Sequence, residues 1–308
     1  MWAITIGDLG EFGLIARITQ RLTQGPAVDL GPGDDAAVVR MPDGRVVATS
    51  DLLVEGRHFR RDWSSAYEVG RKAAAQNLAD VAAMGAWPTA LLIGFGAPPE
   101  TPVAWAEAVC EGLRDECDLV GASVVGGDVV SASEIVLAVT ALGDLRGARP
   151  LTRSGARPGD VVAIRGRLGF AAAGLELLTR GCSEPAELVD AHRRPRPAYD
   201  AGPEAARLGA TALLDVSDGL TQDLGHIAEE SGARIELDTE LLPVPARLGP
   251  DGLRYVLTGG EDHAFAGTFP PGVDLPETWR RIGRVAEGRG VTVDGRPYES
   301  GGWDHFAK

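Results

Sequence analysis

Aspartate-bearing segments beside short apolar runs are the feature that most constrains how this chain can fold. Five such segments are spread along its 308 residues. Four adjoin small or β-branched residues typical of strands, and one lies in an alanine-rich stretch typical of a helix. If these carboxylates converge, they need divalent cations to offset their repulsion, and all-oxygen ligands predict Mg²⁺ bound to a polyphosphate. The segments are Gly33-Asp34-Asp35, Ser50-Asp51, Asn77-Leu78-Ala79-Asp80, Gly126-Gly127-Asp128 and Asp215-Val216-Ser217-Asp218-Gly219.

The length and net charge limit the classes of partner. A chain of 308 residues is long enough for two domains, each with its own core. The formal net charge of −14 disfavours nucleic-acid binding, which requires a basic surface. A phosphate substrate must therefore be held by metal ions, backbone amides and a few arginines.

Lysine is almost absent, and this excludes two common phosphotransferase architectures. The two lysines are Lys72 and Lys308. A P-loop needs a lysine after its glycines, and a protein-kinase fold needs one on a strand, paired with a helix glutamate. Lys72 follows neither pattern, and Lys308 is the last residue.

Cysteine usage and hydropathy predict a cytoplasmic protein. Cys110, Cys117 and Cys182 are odd in number and lack the C-x-x-C spacing, which argues against a disulfide framework or a zinc site. Cys110 and Cys117, seven residues apart, are expected on one buried helix face. No apolar run reaches membrane-spanning length, and the N-terminus lacks the layout of a signal peptide.

Periodicity predicts an α+β fold rather than a doubly wound sheet. Residues 67–84 and 103–120 have helical patterns, and residues 36–40 and 45–49 predict a hairpin around Pro42-Asp43-Gly44. Residues 123–125 and 135–141 predict strands on either side of Gly126-Gly127-Asp128. A segment rich in Gly, Pro and Arg then separates two mixed halves, so the predicted domains are residues 1–146 and 147–308.

Longer motifs recur in a fixed order over nearly the whole chain. They are Gly10-Glu11-Phe12, Gly33-Asp34-Asp35-Ala36, Ser50 to Phe59, Asn77 to Gly85, Gly126-Gly127-Asp128, Leu151 to Ala156, Asp215 to Leu220, Gly259-Gly260-Glu261-Asp262 and Trp303-Asp304-His305-Phe306. This set resembles the thiamine-monophosphate kinase family, within the superfamily of aminoimidazole ribonucleotide synthetase and selenophosphate synthetase. The resemblance implies two α+β domains, the first binding metal and ATP and forming a homodimer through its sheet, the second completing the nucleotide and substrate sites.

The resemblance also implies a reaction and a set of site residues. The reaction is transfer of the ATP γ-phosphoryl group to thiamine monophosphate in thiamine diphosphate biosynthesis, with several Mg²⁺ ions. No residue is assigned as a catalytic acid or base. The implied metal ligands are Asp35, Thr49, Ser50, Asp51, Asp80, Asp128, Asp215 and Asp218; the implied ATP contacts are Gly127, Arg153 and Ser217; the implied substrate contacts are His58, Glu261 and Trp303.

Several of these residues have structural explanations that the sequence leaves open. Asp34 and Asp35 follow a Gly-Pro-Gly turn, in which aspartate is common. Ser217 or Asp218 could cap the following helix, and Asp80 could belong to a buried ion pair. The two glycines before Asp128 could mark a bulge.

The acceptor chemistry predicts direct in-line transfer, because a phosphate monoester oxygen is an adequate nucleophile without a general base. One departure from the family pattern is His263-Ala264, where the family often has Tyr-Glu. Two alternative functions stay open. The chain could be another ATP-dependent synthetase of the superfamily, although the cysteine and lysine expected for selenophosphate synthetase near the N-terminus are missing. It could also be a non-catalytic nucleotide-binding regulator, although every expected acid is present.

Overall fold

The computed structural model describes residues 4–33, 36–298 and 301–302. The chain divides into two compact units. The first comprises residues 1–81 and 87–147, and the second comprises residues 82–86 and 148–308. None of the helices among the described residues combines the length and the apolar character needed to cross a membrane.

The first unit is built around a mainly antiparallel four-stranded sheet. Its strands run in the order β3-β6-β4-β5, with β4 and β5 parallel, and β1 pairs separately with β2. The elements up to residue 147 are α1 (Ile6–Leu9), α2 (Glu11–Thr19), β1 (Val28–Leu30), β2 (Val38–Val39), β3 (Val47–Val54), α3 (Ala66–Ala83), β4 (Trp87–Ala97), α4 (Val103–Asp118), β5 (Ser123–Ser131) and β6 (Val136–Asp144).

The two faces of this sheet differ in burial. Along β3, Leu53 is fully buried and its neighbour Leu52 is 55% exposed, as the two-residue alternation of a strand requires. The buried face continues through Leu137 on β6. The other face exposes Leu92 on β4 and Val130 on β5 as well as Leu52.

The second unit contains a seven-stranded sheet in the order β13-β12-β9-β11-β7-β10-β8. Its core combines leucine, isoleucine and valine from the strands with residues of α5, α8 and α9, such as Ile164, Leu224 and Val256. The elements are β7 (Val161–Arg165), α5 (Phe170–Thr179), α6 (Ala186–Arg193), α7 (Ala201–Arg207), β8 (Ala212–Val216), α8 (Leu220–Ser231), β9 (Arg234–Leu237), a 3₁₀ turn (Ala246–Leu248), α9 (Gly252–Thr258), β10 (Ala264–Phe269), β11 (Arg280–Ala286), β12 (Gly290–Val293) and β13 (Arg296–Pro297).

The predicted α+β class is confirmed, but two local predictions are wrong. The turn at Pro42-Asp43-Gly44 forms, with the Gly44 amide donating to the Met41 carbonyl at 2.9 Å, yet β2 and β3 do not pair across it. Instead β2 pairs with β1, and β3 pairs with β6 about ninety residues later. Gly126-Gly127-Asp128 lies inside β5 rather than between two strands.

Candidate active site

The predicted ligands of the first unit are held between β3 and α3. The Thr49 hydroxyl donates to the Asp80 carboxylate at 3.0 Å. The Asp51 amide donates to the Asn77 side chain at 3.1 Å, and the Gln76 side chain donates to the Asp51 carboxylate at 3.1 Å. Thr49, Asp51 and Asp80 therefore form a half-buried acid group, here called the β3–α3 acid group.

Asp80 occupies a position that does not favour a carboxylate. It lies in the last turn of α3, where no basic residue is present. The C-terminal end of a helix carries partial negative charge, so an anion there costs about 0.3–1 kcal/mol. Binding a cation would offset this cost. In the structure, the hydrogen bond from the Thr49 hydroxyl holds the Asp80 carboxylate in place.

Ser50 and Asp128 are not brought together with this group. Ser50 points to the opposite face of the sheet, where its hydroxyl donates to the Val139 carbonyl at 3.0 Å and accepts from Thr140. Asp128 on β5 pairs with Gly94 on β4, whereas Asp51 on β3 lies in the neighbouring row of paired residues. In the strand order β3-β6-β4-β5, Asp128 is three strands away from Asp51. At a strand spacing of about 4.8 Å this is roughly 14 Å, so Asp51 and Asp128 cannot share an ion within the chain.

Gly127 has a packing reason to be glycine. A Cβ atom at this position would lie 1.9 Å from the Ile93 carbonyl oxygen on the neighbouring strand. The close approach of β5 to β4 therefore requires glycine even without a bound phosphate.

His58 lies in a tight turn that follows β3. The Val54 amide donates to Nδ1 of His58 at 3.0 Å, which leaves Nε2 as the protonated nitrogen of the neutral ring. The fully buried Lys72, 2% exposed, donates to the His58 carbonyl at 3.1 Å. The turn thus presents His58 as a hydrogen-bond donor through Nε2.

In the second unit, two loops lie against each other. One, residues 215–219, comprises the last two residues of β8 and the connection to α8; the other, residues 259–263, joins α9 to β10. The Glu261 amide donates to the Ser217 carbonyl at 2.7 Å, and the His263 amide donates to the Val216 carbonyl at 3.0 Å. We call these segments the paired loops.

The paired loops approach so closely that glycine is required in both. A Cβ atom at Gly260 would lie 2.4 Å from the Ser217 carbonyl oxygen, and one at Gly219 would lie 2.8 Å from the Thr258 carbonyl oxygen. Gly302 packs against the same region, since its Cβ would lie 2.6 Å from the Asp218 carbonyl oxygen. The close backbone contacts therefore set the position and orientation of the side chains in the paired loops.

The helix-capping alternative for Ser217 and Asp218 is not what the structure shows. The N-cap residue of α8 is Gly219, and the amides of Asp218 and Gly219 both donate to the Asp223 carboxylate at 3.0 Å. Burial raises the pKa of Asp223 to about 7, the nearby carboxylates of Asp215 and Asp218 act in the same direction, and the two amide hydrogen bonds oppose the rise. Sequence reasoning missed Asp223, although its position in the first turn of α8 was a signal.

Asp262 is a second carboxylate whose role was missed. It is buried and accepts hydrogen bonds from the amides of Gly169 and Ala171, the latter at 2.8 Å, at the start of α5. Burial raises its pKa to about 7 against the lowering effect of those two bonds. It caps a helix about ninety residues earlier in the chain, which no local pattern indicates.

The remaining predicted residues of the second unit have distinct surroundings. Asp215 is buried, and its Oδ2 lies 3.0 Å from Nδ1 of His263. A Glu261 carboxylate oxygen lies 3.3 Å from Nδ1 of the buried His192. Arg153 is exposed, and its carbonyl accepts from the Ser231 hydroxyl at 3.2 Å.

Two predicted site residues, Asp35 and Trp303, lie outside the described residues, as does Asp34. Across residues 4–33, 36–298 and 301–302, no group of three or more His, Cys, Asp or Glu side chains converges to hold a metal ion. The predicted ligands instead form pairs with a hydroxyl, an amide or a histidine.

Comparison with known proteins identifies the family. The thiamine-monophosphate kinase of Mycobacterium tuberculosis is 49% identical over 99% of this chain and 94% of its own length. A solved structure described as AaThiL complexed with AMPPCP and TMP matches with a TM-score of 0.81 and 36% identity, covering 99% of this chain and all of that one. The chain belongs to the thiamine-monophosphate kinase family.

The family assignment covers both units. Residues 33–145 match the family model for the AIR synthase related protein, N-terminal domain, a range that contains the β3–α3 acid group. The thiamine-monophosphate kinase of Stenotrophomonas maltophilia has a TM-score of 0.82 at 35% identity over 94% of this chain and 98% of its own. The paired loops thus belong to the same thiamine-monophosphate kinase framework as the acid group.

Proposed function

We propose that this chain transfers the γ-phosphoryl group of ATP to thiamine monophosphate and forms thiamine diphosphate and ADP. The observation that carries the proposal is the near full-length match to a structure described as complexed with AMPPCP and TMP. The acidic residues of the β3–α3 acid group and of the paired loops support it.

The reaction is proposed to depend on Mg²⁺, and the donor set fits that ion. The candidate ligands Thr49, Asp51, Asp80, Asp215 and Asp218 offer oxygen atoms, which Mg²⁺ prefers. Mg²⁺ is usually bound through one or two carboxylates plus substrate phosphates rather than in an all-protein cage. Paired carboxylates therefore suit ions that arrive with ATP, and the bound ions would neutralise charge on the phosphates. Asp128, with Gly127 beside it, would serve a separate ion and phosphate from Asp51; Asp35 and the Ser50 carbonyl are further proposed ligands.

The protein groups position and orient the two substrates. Arg153 is exposed on a segment anchored by Ser231, and its planar guanidinium suits a phosphate of ATP. The Ser217 segment offers ATP a hydroxyl in a loop fixed by backbone hydrogen bonds. His58 donates from Nε2 to an acceptor atom of thiamine monophosphate, and Glu261 pairs with its aminopyrimidine.

Trp303 is the proposed aromatic contact for the cationic ring of thiamine monophosphate. It follows Gly302, which packs against Asp218. Trp303→Ala should raise the KM for thiamine monophosphate far more than the KM for ATP. Equal effects on both KM values would mean that Trp303 does not contact thiamine monophosphate.

No general base is required, because the acceptor is a phosphate monoester whose oxygen is ionised near neutral pH. The nucleophilic oxygen attacks the γ-phosphorus in line while the bond to the β-phosphate oxygen breaks and leaves ADP. A phospho-aspartate or phospho-histidine trapped during turnover would contradict direct transfer.

We also propose that two copies pair through the exposed face of the four-stranded sheet. That face carries Leu52, Leu92 and Val130, which are 55%, 38% and 54% exposed. Exposed apolar side chains gathered on one sheet face are typical of a protein interface. Leu52→Glu should convert a dimer to a monomer in light scattering, whereas Leu119→Glu, 64% exposed beyond the end of α4, should not.

The cytoplasm is the proposed location. Cys110 and Cys117 are free thiols buried in the first unit. Burial raises the pKa of Cys110 to about 11 and raises that of Cys117 further. Such thiols stay protonated and unreactive, as suits a reducing compartment.

The test is ³¹P NMR of the purified protein with ATP, Mg²⁺ and thiamine monophosphate, beside a control without acceptor. The proposal predicts that the monoester signal is replaced by a diphosphate pair only when Mg²⁺ and acceptor are both present. ATP hydrolysis without formation of an acceptor diphosphate would mean that the acceptor substrate is a different molecule. If no ATP were consumed, a non-catalytic nucleotide-binding regulator would be favoured.

A further inference from the structure

His263 makes a direct side-chain contact with a proposed metal ligand. Its Nδ1 lies 3.0 Å from Oδ2 of Asp215, and both residues are buried, at 5% and 9% exposure. A carboxylate can only accept, so the imidazole donates through Nδ1–H. The bond occupies one carboxylate oxygen and orients the other, Oδ1.

The backbone holds His263 in this place at a cost. Its φ angle is +51°, in the left-handed region that is uncommon for residues other than glycine, although Asn, Asp and His adopt it more often than most. Glu261 in the same loop has φ +64°. Strain of this kind is concentrated at functional sites.

Backbone pairing fixes the donor relative to the acceptor. The His263 amide donates to the Val216 carbonyl at 3.0 Å, and the next residue, Ala264, pairs with Val216 as β10 meets β8. Asp215 precedes Val216 and pairs with Phe265, so the imidazole and the carboxylate come from two hydrogen-bonded segments and lie two register positions apart. The contact is therefore a fixed feature of the paired loops.

We propose that His263 is a positioning residue that orients the Asp215 carboxylate for Mg²⁺, an inference that rests on the proposed function. The hydrogen bond from His263 occupies Oδ2 of Asp215, so that Oδ1 is the oxygen that would bind the ion. Histidine or carboxylate partners of metal ligands act in this way, and their loss typically lowers metal affinity 10–100-fold.

The test compares two substitutions that both accept the left-handed backbone. His263→Asn keeps an N–H donor close to the position of Nδ1, and asparagine tolerates positive φ. His263→Gly fits the backbone but has no side chain. Asp215→Asn is the reference that removes the ligand itself, and thermal denaturation of all variants monitors folding.

The readout is binding of Mn²⁺ to the purified protein with AMPPCP at a fixed concentration, followed by the electron paramagnetic resonance of free Mn²⁺, with Mg²⁺ competition and a protein-free control for Mn²⁺ bound to AMPPCP alone. We expect His263→Gly to weaken the binding of one Mn²⁺ ion about tenfold or more. The affected ion should be the same one whose binding is weakened by Asp215→Asn. His263→Asn should stay within about threefold of the wild type. In turnover, His263→Gly should lower kcat with little change in the KM for thiamine monophosphate.

Three outcomes would overturn the inference: unchanged Mn²⁺ binding in His263→Gly, equal losses in the Asn and Gly variants, or unchanged binding in Asp215→Asn. Failure of the proposed function looks different. In that case the wild type makes no thiamine diphosphate, yet the Mn²⁺ affinities still separate Gly from Asn.

Discussion

The β3–α3 acid group and the paired loops hold carboxylates by different means. In the first, side chains do the positioning: Thr49 and Asn77 bridge a strand and a helix of ordinary backbone geometry. In the second, main-chain hydrogen bonds join two loops that need glycine and contain left-handed residues. The difference predicts that the charge at the first site can be changed without disturbing the fold, whereas a change in the second site also alters the local backbone.

The largest expected effect tests the first half of that comparison. Asp80→Asn should reduce turnover on the order of a thousandfold, because a neutral amide would bind the proposed Mg²⁺ ion more weakly and the reacting phosphates would lose the charge stabilisation that this ion supplies. The melting temperature should stay unchanged or rise slightly, since the Thr49 hydroxyl can donate to the asparagine oxygen and an anion leaves the helix C-terminus. Steady-state kinetics and calorimetry measure the two quantities.

Asp118 supplies a matched control for Asp80→Asn. It also ends a helix and accepts from a threonine hydroxyl, that of Thr23 at 3.3 Å, but it lies outside the acid group. Asp118→Asn should leave turnover unchanged. A large loss of stability in Asp80→Asn would instead indicate the buried ion pair that the sequence left open.

The second prediction concerns a carboxylate held by backbone in the second unit. Asp262 has a folded-state pKa of about 7 against an ordinary value near 3.8. The folded protein therefore binds a proton that the unfolded chain has released between these values, so this group's stabilisation is present below about pH 4 and is lost as the pH rises to about 7. Three pKa units correspond to about 4 kcal/mol at most.

Asp262→Asn should remove that dependence. Urea unfolding at several pH values from 4.5 to 8 would show a shallower decline of the unfolding free energy in the variant. The exposed Asp274→Asn is the control and should keep the wild-type slope. Parallel slopes for wild type and Asp262→Asn would mean that Asp262 is ionised throughout.

The sequence predicted those parts of the fold that depend on interactions between residues close together in the chain. α3 and α4 were predicted to within two residues, because their patterns extend over four or more turns. The hairpin failed because a local turn signal cannot show that the β-branched run of β3 pairs with distant β6. The same limit hid Asp262, whose amide partners are about ninety residues away.

The candidate site was predicted unevenly for the same reason. The spacing of Asn77 and Asp80 predicts that they share one helix face, and the structure shows that both contact β3. Strand alternation separates Ser50 from Thr49 and Asp51, and the motif alone did not reveal this. His263 needed the pairing of β10 with β8 before its contact with Asp215 could be found.

The third prediction strains the paired loops directly. Gly260→Ala should lower the unfolding free energy by about 3 kcal/mol, because the new methyl group would meet the Ser217 carbonyl oxygen at 2.4 Å and force the loops apart. Turnover should fall as well, since Ser217 and Glu261 move with the backbone. Urea unfolding and kinetics on one preparation measure both effects, and a stable, active variant would show that the loops are independent.

The smallest effect is the control for that substitution and has the opposite sign. Gly225 lies within α8, ten residues after Asp215, and a Cβ atom there would have no heavy atom within 4 Å. Alanine should therefore stabilise the protein by about 0.5–1 kcal/mol, because glycine inside a helix is entropically costly. Urea unfolding should show this gain with unchanged turnover. Destabilisation by Gly225→Ala would mean that the helix after the first loop is as sensitive as the loops, and the cost of Gly260→Ala could no longer be assigned to their contact.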